Sequence, residues 1–285
     1  MSKSDEIKVD NELVHIFQAN VTGLPHLPTY FRQFRDRIEF AKQMSRTTLR
    51  VQQADSSIGK IWLVLNPLML SGVYYFLIVA IGSKNHGPGF FAHLVSGVFI
   101  FYFIAGCMYN GAGSVVGAGK LISNLSFPRL LLPYAAVRTA LSRFIPTLPI
   151  FLIFYFIGGG RLHWQQLFAV AAFILIFMFS LGLASLFAAL QVQYRDTTSF
   201  LPYINRIWLY ISPVLFYPED ARNIFKHISA VNPLFPLLSL WSHTLVQGTI
   251  PPWTTWLAGF LWAVACLIGG CWYFLSKERE FAVRL

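Results

Sequence analysis

The chain has 285 residues, of which 55% are hydrophobic, 16% are aromatic and only 12% are charged, and its formal net charge is +10. This composition excludes a disordered chain, which would be poor in apolar residues, and argues against a soluble domain, in which about 25% of the residues are charged. The apolar residues lie in runs too long for globular helices or strands, which indicates an integral membrane protein.

The N-terminal part precedes the apolar runs and contains no apolar core of signal-peptide type, so we expect no cleavable leader. Residues 1–29 are polar without a periodic pattern and are predicted to form a cytoplasmic tail of unassigned role. The pattern of residues 30–56 predicts an amphipathic interface helix on the inner leaflet. This helix acts only as an anchor or, alternatively, its charged face also contacts a cytoplasmic partner. Its apolar face consists of Phe34, Ile38, Ala41, Met44 and Thr48, and its charged face of Arg35, Glu39, Lys42, Arg46 and Arg50.

Runs of about 20 apolar residues in the remaining chain predict transmembrane helices. The unbroken runs lack the alternation of a membrane barrel, so the predicted fold class is an all-α integral membrane protein. Residues 57–285 are therefore predicted to form one six-span transmembrane domain. The six predicted spans are residues 61–81, 90–109, 137–157, 167–190, 200–217 and 256–275.

Basic residues near the predicted spans indicate their orientation, because cytoplasmic loops are enriched in Lys and Arg. The richer side has Lys42, Arg46, Arg50, Lys60, Lys120, Arg129, Arg195, Lys277, Arg279 and Arg284; the other has Lys84, Arg161, Arg222 and Lys226. An even number of spans then predicts a multi-pass protein of the bacterial plasma membrane with both termini cytoplasmic. No basic cluster is interleaved with exposed aromatics, so nucleic acid is not an expected partner.

The segment between the last two predicted spans is rich in proline and predicts two short helical stretches, at about 220–229 and 234–246. The second is apolar but too short to cross a membrane. Both a re-entrant or interfacial helix on the outer face and an amphipathic outer loop are compatible with this pattern.

Two glycine patterns suggest nucleotide binding but lack its context. Gly111, Gly113 and Gly117 resemble a dinucleotide fingerprint, and the pair Gly119-Lys120 resembles the end of a P-loop. Both motifs require a preceding strand, whereas a membrane helix is predicted here. The chain is therefore expected to bind no ATP and no other cofactor.

Catalytic and metal-binding patterns are not found in the sequence. The cysteines lie inside apolar runs, and the histidines are scattered without ligand spacing, so no metal site is predicted. The sequence has no acidic residue between Asp55 and Asp196. This disfavours ion-coupled transport, which places carboxylates within the spans.

Several short motifs occur in one order along the chain, and this ordered set resembles the permease subunits of type-2 ABC exporters of polysaccharides, the Wzm and teichoic-acid permease group. The resemblance covers about residues 30–285. Its motifs are SIGKIW at 57–62, NP at 66–67, GKLISN at 119–124, FPRLLLP at 127–133, YRD at 194–196, SPV at 212–214, YP at 217–218 and NPL at 232–234.

The resemblance implies a pair of permease copies that bind two copies of a separate P-loop ATPase, which uses ATP and Mg. It also implies that residues 117–126 contain a coupling helix that docks into the ATPase; the alternative is a plain loop between spans. The residues expected at this contact are Gly119, Lys120, Leu121, Ile122, Ser123, Arg195 and Asp196.

A glycan cargo would be contacted through aromatic rings, which offer flat surfaces to the apolar C–H faces of sugars. The alternative is that these aromatics face lipid, as they do in many membrane proteins. The predicted path residues are Tyr74, Tyr75, Tyr102, Tyr109, Trp208 and Tyr210.

Arg206 lies in the fifth predicted span, 11 residues after Arg195 and 12 before Pro218, hence roughly 16–18 Å from either of them at about 1.5 Å per residue. A guanidinium there costs at least about 2.5 kcal/mol, and Asp196 is too distant along one helix to pair with it. We therefore expect Arg206 to face the transport path and to meet sugar hydroxyls or a lipid-linked pyrophosphate. The alternative is a structural bond to carbonyl groups. Arg138 and Arg143 in span three are expected near the inner boundary, within snorkelling reach.

These observations predict the membrane-spanning permease subunit of an ATP-driven exporter. Its cargo would be a lipid-linked polysaccharide (O-antigen, teichoic acid or a galactan-type cell-wall glycan) moved from the cytoplasm to the outer face. An exporter of drugs or lipids is the nearest alternative. A membrane glycosyl or phosphoglycosyl transferase would need an acidic cluster, for which Glu219-Asp220 is the candidate. A channel is disfavoured because no selectivity filter is evident.

Overall fold

The computed structural model describes residues 8–9, 12–13, 27–54, 61–80, 87, 89–125, 127–220 and 231–284. Apart from two short antiparallel strands, β1 (Lys8–Val9) and β2 (Glu12–Leu13), the regular structure of these residues is helical. The all-α fold class is confirmed. The helices are α1 (Leu27–Asp36), α2 (Ile38–Ala54), α3 (Trp62–Ala80), α4 (Phe90–Val116), α5 (Gly119–Asn124), α6 (Leu131–Phe144), α7 (Thr147–Ile157), α8 (Phe168–Gln193), α9 (Thr197–Ile211), α10 (Leu234–Trp241), α11 (Trp253–Lys277) and α12 (Phe281–Arg284).

Five helical stretches among the described residues are long and apolar enough to cross a membrane. They cover the first, second, third, fourth and sixth predicted spans, and the third stretch is bent where Pro146 separates α6 from α7. The multi-pass membrane character is therefore confirmed. The five stretches are Trp62–Ala80, Phe90–Val116, Leu131–Ile157, Trp164–Gln193 and Trp253–Glu280.

The helix over the fifth predicted span, α9, is shorter than predicted and has 15 residues. It ends at Ile211 because Pro213 has no N–H and disfavours helical backbone at the residue before it, and Ser212 is extended. Residues 212–217 continue as turns to the start of α4, where the Phe216 carbonyl oxygen lies 3.1 Å from His93 Nε2. The predicted limits 200–217 therefore differ from the helix, and the count of six spans stays a prediction.

The first and last described helices, α1 and α12, pack at one end of the bundle, called the terminal end below. Its apolar cluster joins Tyr30 of α1, Ile122 of α5, Val192 of α8 and Phe281 of α12. At the opposite end, the far end, the buried His93 side chain contacts the segment after α9, and its Nδ1 lies 2.9 Å from Ser242 Oγ. The chain therefore runs from the terminal end to the far end through α9 and residues 212–217.

The predicted interface helix is two helices, α1 and α2, separated at Arg37. On α2, Ala41 is fully buried, and Ser45 accepts a 3.0 Å hydrogen bond from Thr139 of α6. The charged face points away from the bundle, with exposed Arg35, Glu39, Arg46 and Arg50 and half-buried Lys42. Residues 55–56, most of the N-terminal tail and the first motif up to Lys60 lie outside the described residues.

The second half of the proline-rich segment packs into the bundle. In α10, Leu234, Leu237, Leu238 and Trp241 belong to the main apolar core, and the π-helical turn Ser242–Gln247 follows. This burial favours a re-entrant helix enclosed by protein over an exposed outer loop. The first predicted stretch, 220–229, lies almost entirely outside the described residues, as do Lys84, Arg222 and Lys226 of the orientation argument.

The centre of the fold is a stack of α4, α8 and α11 in which glycines allow close approach. A Cβ atom at Gly111 of α4 would lie 2.7 Å from Ala184 Cα of α8. A Cβ atom at Gly182 of α8 would overlap the Cys266 backbone of α11, and one at Gly270 would overlap the Gly182 carbonyl oxygen. The stack therefore depends on glycine at these three positions.

Adjacent glycines of α11 provide a matched test of this contact. We expect Gly270→Ala to separate α8 from α11 and to lower stability by about 1–3 kcal/mol, the usual cost of overpacking. Gly269→Ala is the control, because a Cβ atom there would meet no atom within 4 Å. Thermal unfolding of both variants in detergent measures the difference, and equal melting temperatures would contradict the close contact.

Candidate functional site

A cavity of about 650 Å³ lies between α3, α4, the bend from α6 to α7, and α9. Its lining is largely apolar and aromatic. Its described lining residues come from α3, α4, α6, α7 and α9, and none comes from α8 or α11. In the most apolar part of α3, only 11% of the residues are buried within the chain. The aromatic residues of the lining are Trp62, Tyr74, Phe99, Phe101, Tyr102, Phe103, Tyr109 and Phe144.

Polar side chains enter this cavity from every helix that forms it. The polar lining residues with hydrogen-bonding side chains include Asn66 of α3, Asn110 of α4, Arg143 of α6, and Asn205 and Arg206 of α9. On α9, Pro202, Asn205, Arg206 and Leu209 follow helical spacing and therefore share one face. The site thus combines flat apolar surfaces with a few amide and guanidinium groups, as ligand pockets usually do.

Most of the predicted path residues lie in or beside the cavity. Tyr74, Tyr102, Tyr109 and Arg206 line it. The Tyr210 side chain interacts with that of Tyr74 and therefore adjoins the lining.

The remaining two predicted path residues lie elsewhere. The Tyr75 ring packs against Phe91 with centroids 5.2 Å apart, and Trp208 is partly buried against the main core. Neither is among the cavity-lining residues.

Several polar lining residues were missed by sequence reasoning. The sequence places Arg143 within snorkelling reach of the inner boundary but does not indicate a cavity role. In the structure, Arg143 lines the cavity, one residue before α6 ends at Phe144. The asparagines gave no signal, because isolated amides in apolar runs do not reveal which face they occupy. Asn205 was next to the predicted Arg206, but the helical face that they share became evident only in the structure.

Arg206 lies on the open side of the cavity and is exposed on the surface of the single chain. Its charge acts on the nearby Tyr74 hydroxyl. Among the described residues, no carboxylate lines the cavity. A guanidinium facing hydrocarbon is costly, so the open side of the cavity is better suited to water, ligand or protein than to lipid.

At the terminal end, the six-residue helix α5 contains most of the predicted coupling residues. Ile122 is buried in the cluster of the terminal end, whereas Lys120 is exposed and Leu121 is half-buried. Leu121 and α2 residues form a groove of about 580 Å³, in which Phe40, Met44 and Val51 supply most of the apolar surface. Gly119 begins the helix, and Ser123 lies within it. Ile122 thus packs within the chain, whereas Leu121 is the apolar residue of α5 that lines the groove.

The other two predicted coupling residues, Arg195 and Asp196, lie in the exposed turn between α8 and α9. Arg195 donates a 3.0 Å hydrogen bond from Nη2 to the Arg284 carbonyl oxygen of α12. Because α12 also packs against α5, this turn and the groove belong to the same end of the bundle.

The acidic candidate for a transferase is on the far side of the fold. Glu219 accepts a 3.1 Å hydrogen bond from Gln247 and lies 3.4 Å from His243 Nε2. Among the described residues, no group of three or more His, Cys, Asp or Glu side chains is placed to hold a metal ion.

Comparison with known proteins agrees with this geometry and with the ordered motifs. Residues 41–246, well over half of the chain, match the ABC-2 type transporter family. The chain belongs to this family. The family predicted from the motifs is therefore confirmed.

Two similar proteins are named for the export of O-antigen. The O-antigen export system permease protein RfbA of Klebsiella pneumoniae is 26% identical over 207 residues, which cover 71% of this chain and 78% of that protein. The protein of the same name from Myxococcus xanthus is 25% identical over 240 residues, which cover 82% of this chain and 90% of that protein.

A buried polar junction at the terminal end of this ABC-2 chain joins α1, the segment after α5 and the residues after α11. The Tyr30 hydroxyl donates to Glu278 Oε1 at 3.0 Å and accepts from the Leu130 N–H at 3.1 Å. The Arg129 N–H donates to the same Glu278 oxygen at 2.8 Å, and the Arg129 guanidinium donates to the Glu278 carbonyl oxygen. Burial, and then the adjacent carboxylate, raises the pKa of Tyr30, so the hydroxyl stays protonated and donates.

Removal of one hydroxyl tests this junction. Tyr30→Phe leaves the buried Leu130 N–H without its acceptor and Glu278 without one donor, so we expect a loss of about 1–3 kcal/mol. Weaker attachment of α1 and α2 to the bundle should appear as faster proteolysis of these helices in detergent-solubilised protein. Tyr134→Phe is the control, because it keeps the ring contact between residue 134 and Phe34, whose centroids are 5.6 Å apart. Equal proteolysis of wild type and Tyr30→Phe would contradict the role of the junction.

Proposed function

We propose that this chain is the membrane-spanning permease subunit of an ATP-driven exporter, and that its cargo is a lipid-linked polysaccharide moved from the cytoplasm to the outer face of the bacterial plasma membrane. Membership of the ABC-2 type transporter family and the named function of the two RfbA relatives support this proposal. In this proposal both termini, and therefore the terminal end of the bundle, are cytoplasmic, as the distribution of basic residues indicates.

The observation that carries the proposal is the aromatic cavity with Arg206 on its open side. Tyr74, Tyr102 and Tyr109 offer ring surfaces to the C–H faces of sugars without sequence-specific hydrogen bonds. Such contacts suit a repeating polymer, because successive sugar units can occupy them in turn. Arg206 adds a donor for hydroxyl or phosphate oxygens.

The open side of the cavity requires a second wall, which we assign to a second copy of the chain. The surface beside the cavity is formed by α3 and α9, and it exposes large apolar side chains such as Phe76, Tyr203 and Ile207. Pairing of two copies through this surface would enclose Arg206 away from lipid. The path would then lie between the copies, with both cavities contributing to it.

The energy source is assigned to two copies of a separate P-loop ATPase, which uses ATP and Mg, because the two glycine motifs of this chain lie within α4 or directly after it and not after a strand. The ATPase would dock on the groove between α2 and α5. The groove is apolar, has Leu121 in its wall and is flanked by exposed basic residues such as Lys120 and Arg46. Insertion of an apolar side chain from the ATPase would bury this surface.

Replacement of Arg206 tests the transport path. We expect Arg206→Met to reach the membrane at wild-type levels, because methionine favours insertion, and to reduce surface polysaccharide at least tenfold. The measurement is quantitative labelling of surface glycan in the native host with the variant on the chromosome. Arg161→Met is the control, since Arg161 is an exposed arginine of the loop after α7. Wild-type surface glycan in the Arg206→Met strain would contradict the assigned path.

Replacement of Leu121 tests the ATPase contact. A carboxylate in an apolar groove is costly when it is buried without a partner, so Leu121→Asp should prevent co-purification of the ATPase and abolish export. The isolated permease should hydrolyse no ATP with or without the substitution. Leu162→Asp, at an exposed leucine on the far side of the fold, should retain both the complex and its ATP hydrolysis. Hydrolysis by the permease alone would overturn the assignment of the energy source.

A further inference from the structure

The buried amide of Asn205 is without a hydrogen-bond partner at the wall of the cavity. Its side chain is only 8% exposed, yet neither Oδ1 nor Nδ2 has a partner among the described residues. Asn205 belongs to the face of α9 that lines the cavity, next to Arg206. Buried amides in proteins are normally hydrogen-bonded, so an amide whose two ends both lack partners indicates that another molecule supplies them.

Among the described residues, the other deeply buried asparagine is Asn232, and it shows the hydrogen bonding of an amide with a purely structural role. Asn232 is 5% exposed, and its Nδ2 donates to Ser212 Oγ at 2.9 Å. Its Oδ1 accepts from the Leu234 N–H at 3.0 Å. Both ends of Asn232 are therefore satisfied within the chain, in contrast to Asn205.

The chemistry of the amide restricts what can satisfy it. Nδ2 donates and needs an acceptor, whereas Oδ1 accepts and needs a donor. Phosphate oxygens at neutral pH mainly accept, so a pyrophosphate leaves Oδ1 without a donor. A sugar hydroxyl both donates and accepts, and neighbouring hydroxyls on one sugar ring can satisfy both ends of the amide.

A second acceptor in the same cavity supports this conclusion. Asn110 donates from Nδ2 to the Gly106 carbonyl oxygen at 2.7 Å, which commits its donor end to its own helix. Its Oδ1 therefore supplies an acceptor for the cavity. Arg143 and Arg206 supply only donors. This mixture of acceptors and donors matches a polyhydroxyl compound better than an anion alone.

We infer that Asn205 is a sugar-binding residue of the cavity, at which the hydroxyl groups of a neutral carbohydrate segment hydrogen-bond to both ends of the amide. The inference rests on the proposed function and names the part of the cargo that this wall of the path contacts. The tyrosines of the lining contact the C–H faces of the sugar rings, and Asn205 contacts their edges. The pyrophosphate of a lipid-linked cargo is not the ligand of Asn205.

The experiment uses full-length permease in lipid nanodiscs with two probes, a neutral dextran oligosaccharide and inorganic pyrophosphate. Tryptophan fluorescence reports binding, since Trp62 lines the cavity. Asn205→Leu removes both polar ends at similar volume and should weaken dextran binding about tenfold, which corresponds to about 1.4 kcal/mol. Asn205→Ser, which keeps a donor and an acceptor, should retain part of the affinity. Pyrophosphate binding should be the same in wild type and both variants.

Ser239→Ala is the control for the loss of a buried polar atom. Ser239 Oγ is also buried without a partner among the described residues, but it lies outside the cavity. We expect its dextran binding to equal that of wild type. If Asn205→Leu does not accumulate in the membrane, the test uses Asn205→Ser, which should lose part of the dextran affinity.

Wild-type dextran affinity in Asn205→Leu would overturn the inference, as would absence of dextran binding by the wild-type chain. If a substitution at Asn205 changed the oligomeric state but not the dextran affinity, Asn205 would be assigned to contact with a second copy. This result would also overturn the inference. The proposed function fails separately: it is wrong if deletion of the chain from the native host leaves surface polysaccharide unchanged, whatever the Asn205 variants do.

Discussion

Where α8 crosses α11, no side chain separates the two backbones, because Gly182 lies against Cys266 and Gly270 lies against Gly182. Lipid provides no hydrophobic drive to bring two helices together, so van der Waals contact between backbones stabilises the crossing. Two residues further along, Ala184 of α8 meets Gly111 of α4 in the same way. Three helices are thus held in close contact, and α3, α6, α7 and α9 pack against α4 of this stack.

The two sides of the stack differ in how completely the chain covers them. In the most apolar part of α4, 78% of the residues are buried, against 11% in α3, where nine of the 19 residues are exposed. Arg206 and the polar lining of the cavity lie on the sparsely covered side. A transport protein needs one region that keeps its shape and another that can open to cargo. Tight glycine contacts and a loosely covered polar cavity meet these two requirements within one chain.

The sequence predicted the features that depend on local pattern. Long apolar runs gave five of the helices, and the alternating faces of residues 30–56 agree with the buried Ala41 and the exposed Arg46. The ordered motifs predicted the family, and the match to the ABC-2 type transporter family confirms it. Features that depend on contacts between distant segments were not accessible in this way. Arg143 lines the cavity from the last turn of α6, Ile122 is buried where α5 packs against α12, and α9 ends early at Ser212-Pro213.

Order of synthesis adds a constraint to the junction of Tyr30, Arg129 and Glu278. The first partner of Tyr30 along the chain, Leu130, is 100 residues away, and the second, Glu278, is 248 residues away. During translation the ribosome therefore releases α1 long before its docking site exists. The amphipathic helices α1 and α2 therefore remain incompletely docked at the membrane surface until the last spanning helix has been inserted. Their docking then marks a complete chain, so a truncated chain that lacks residue 278 would expose α1 and its linker to quality-control proteases.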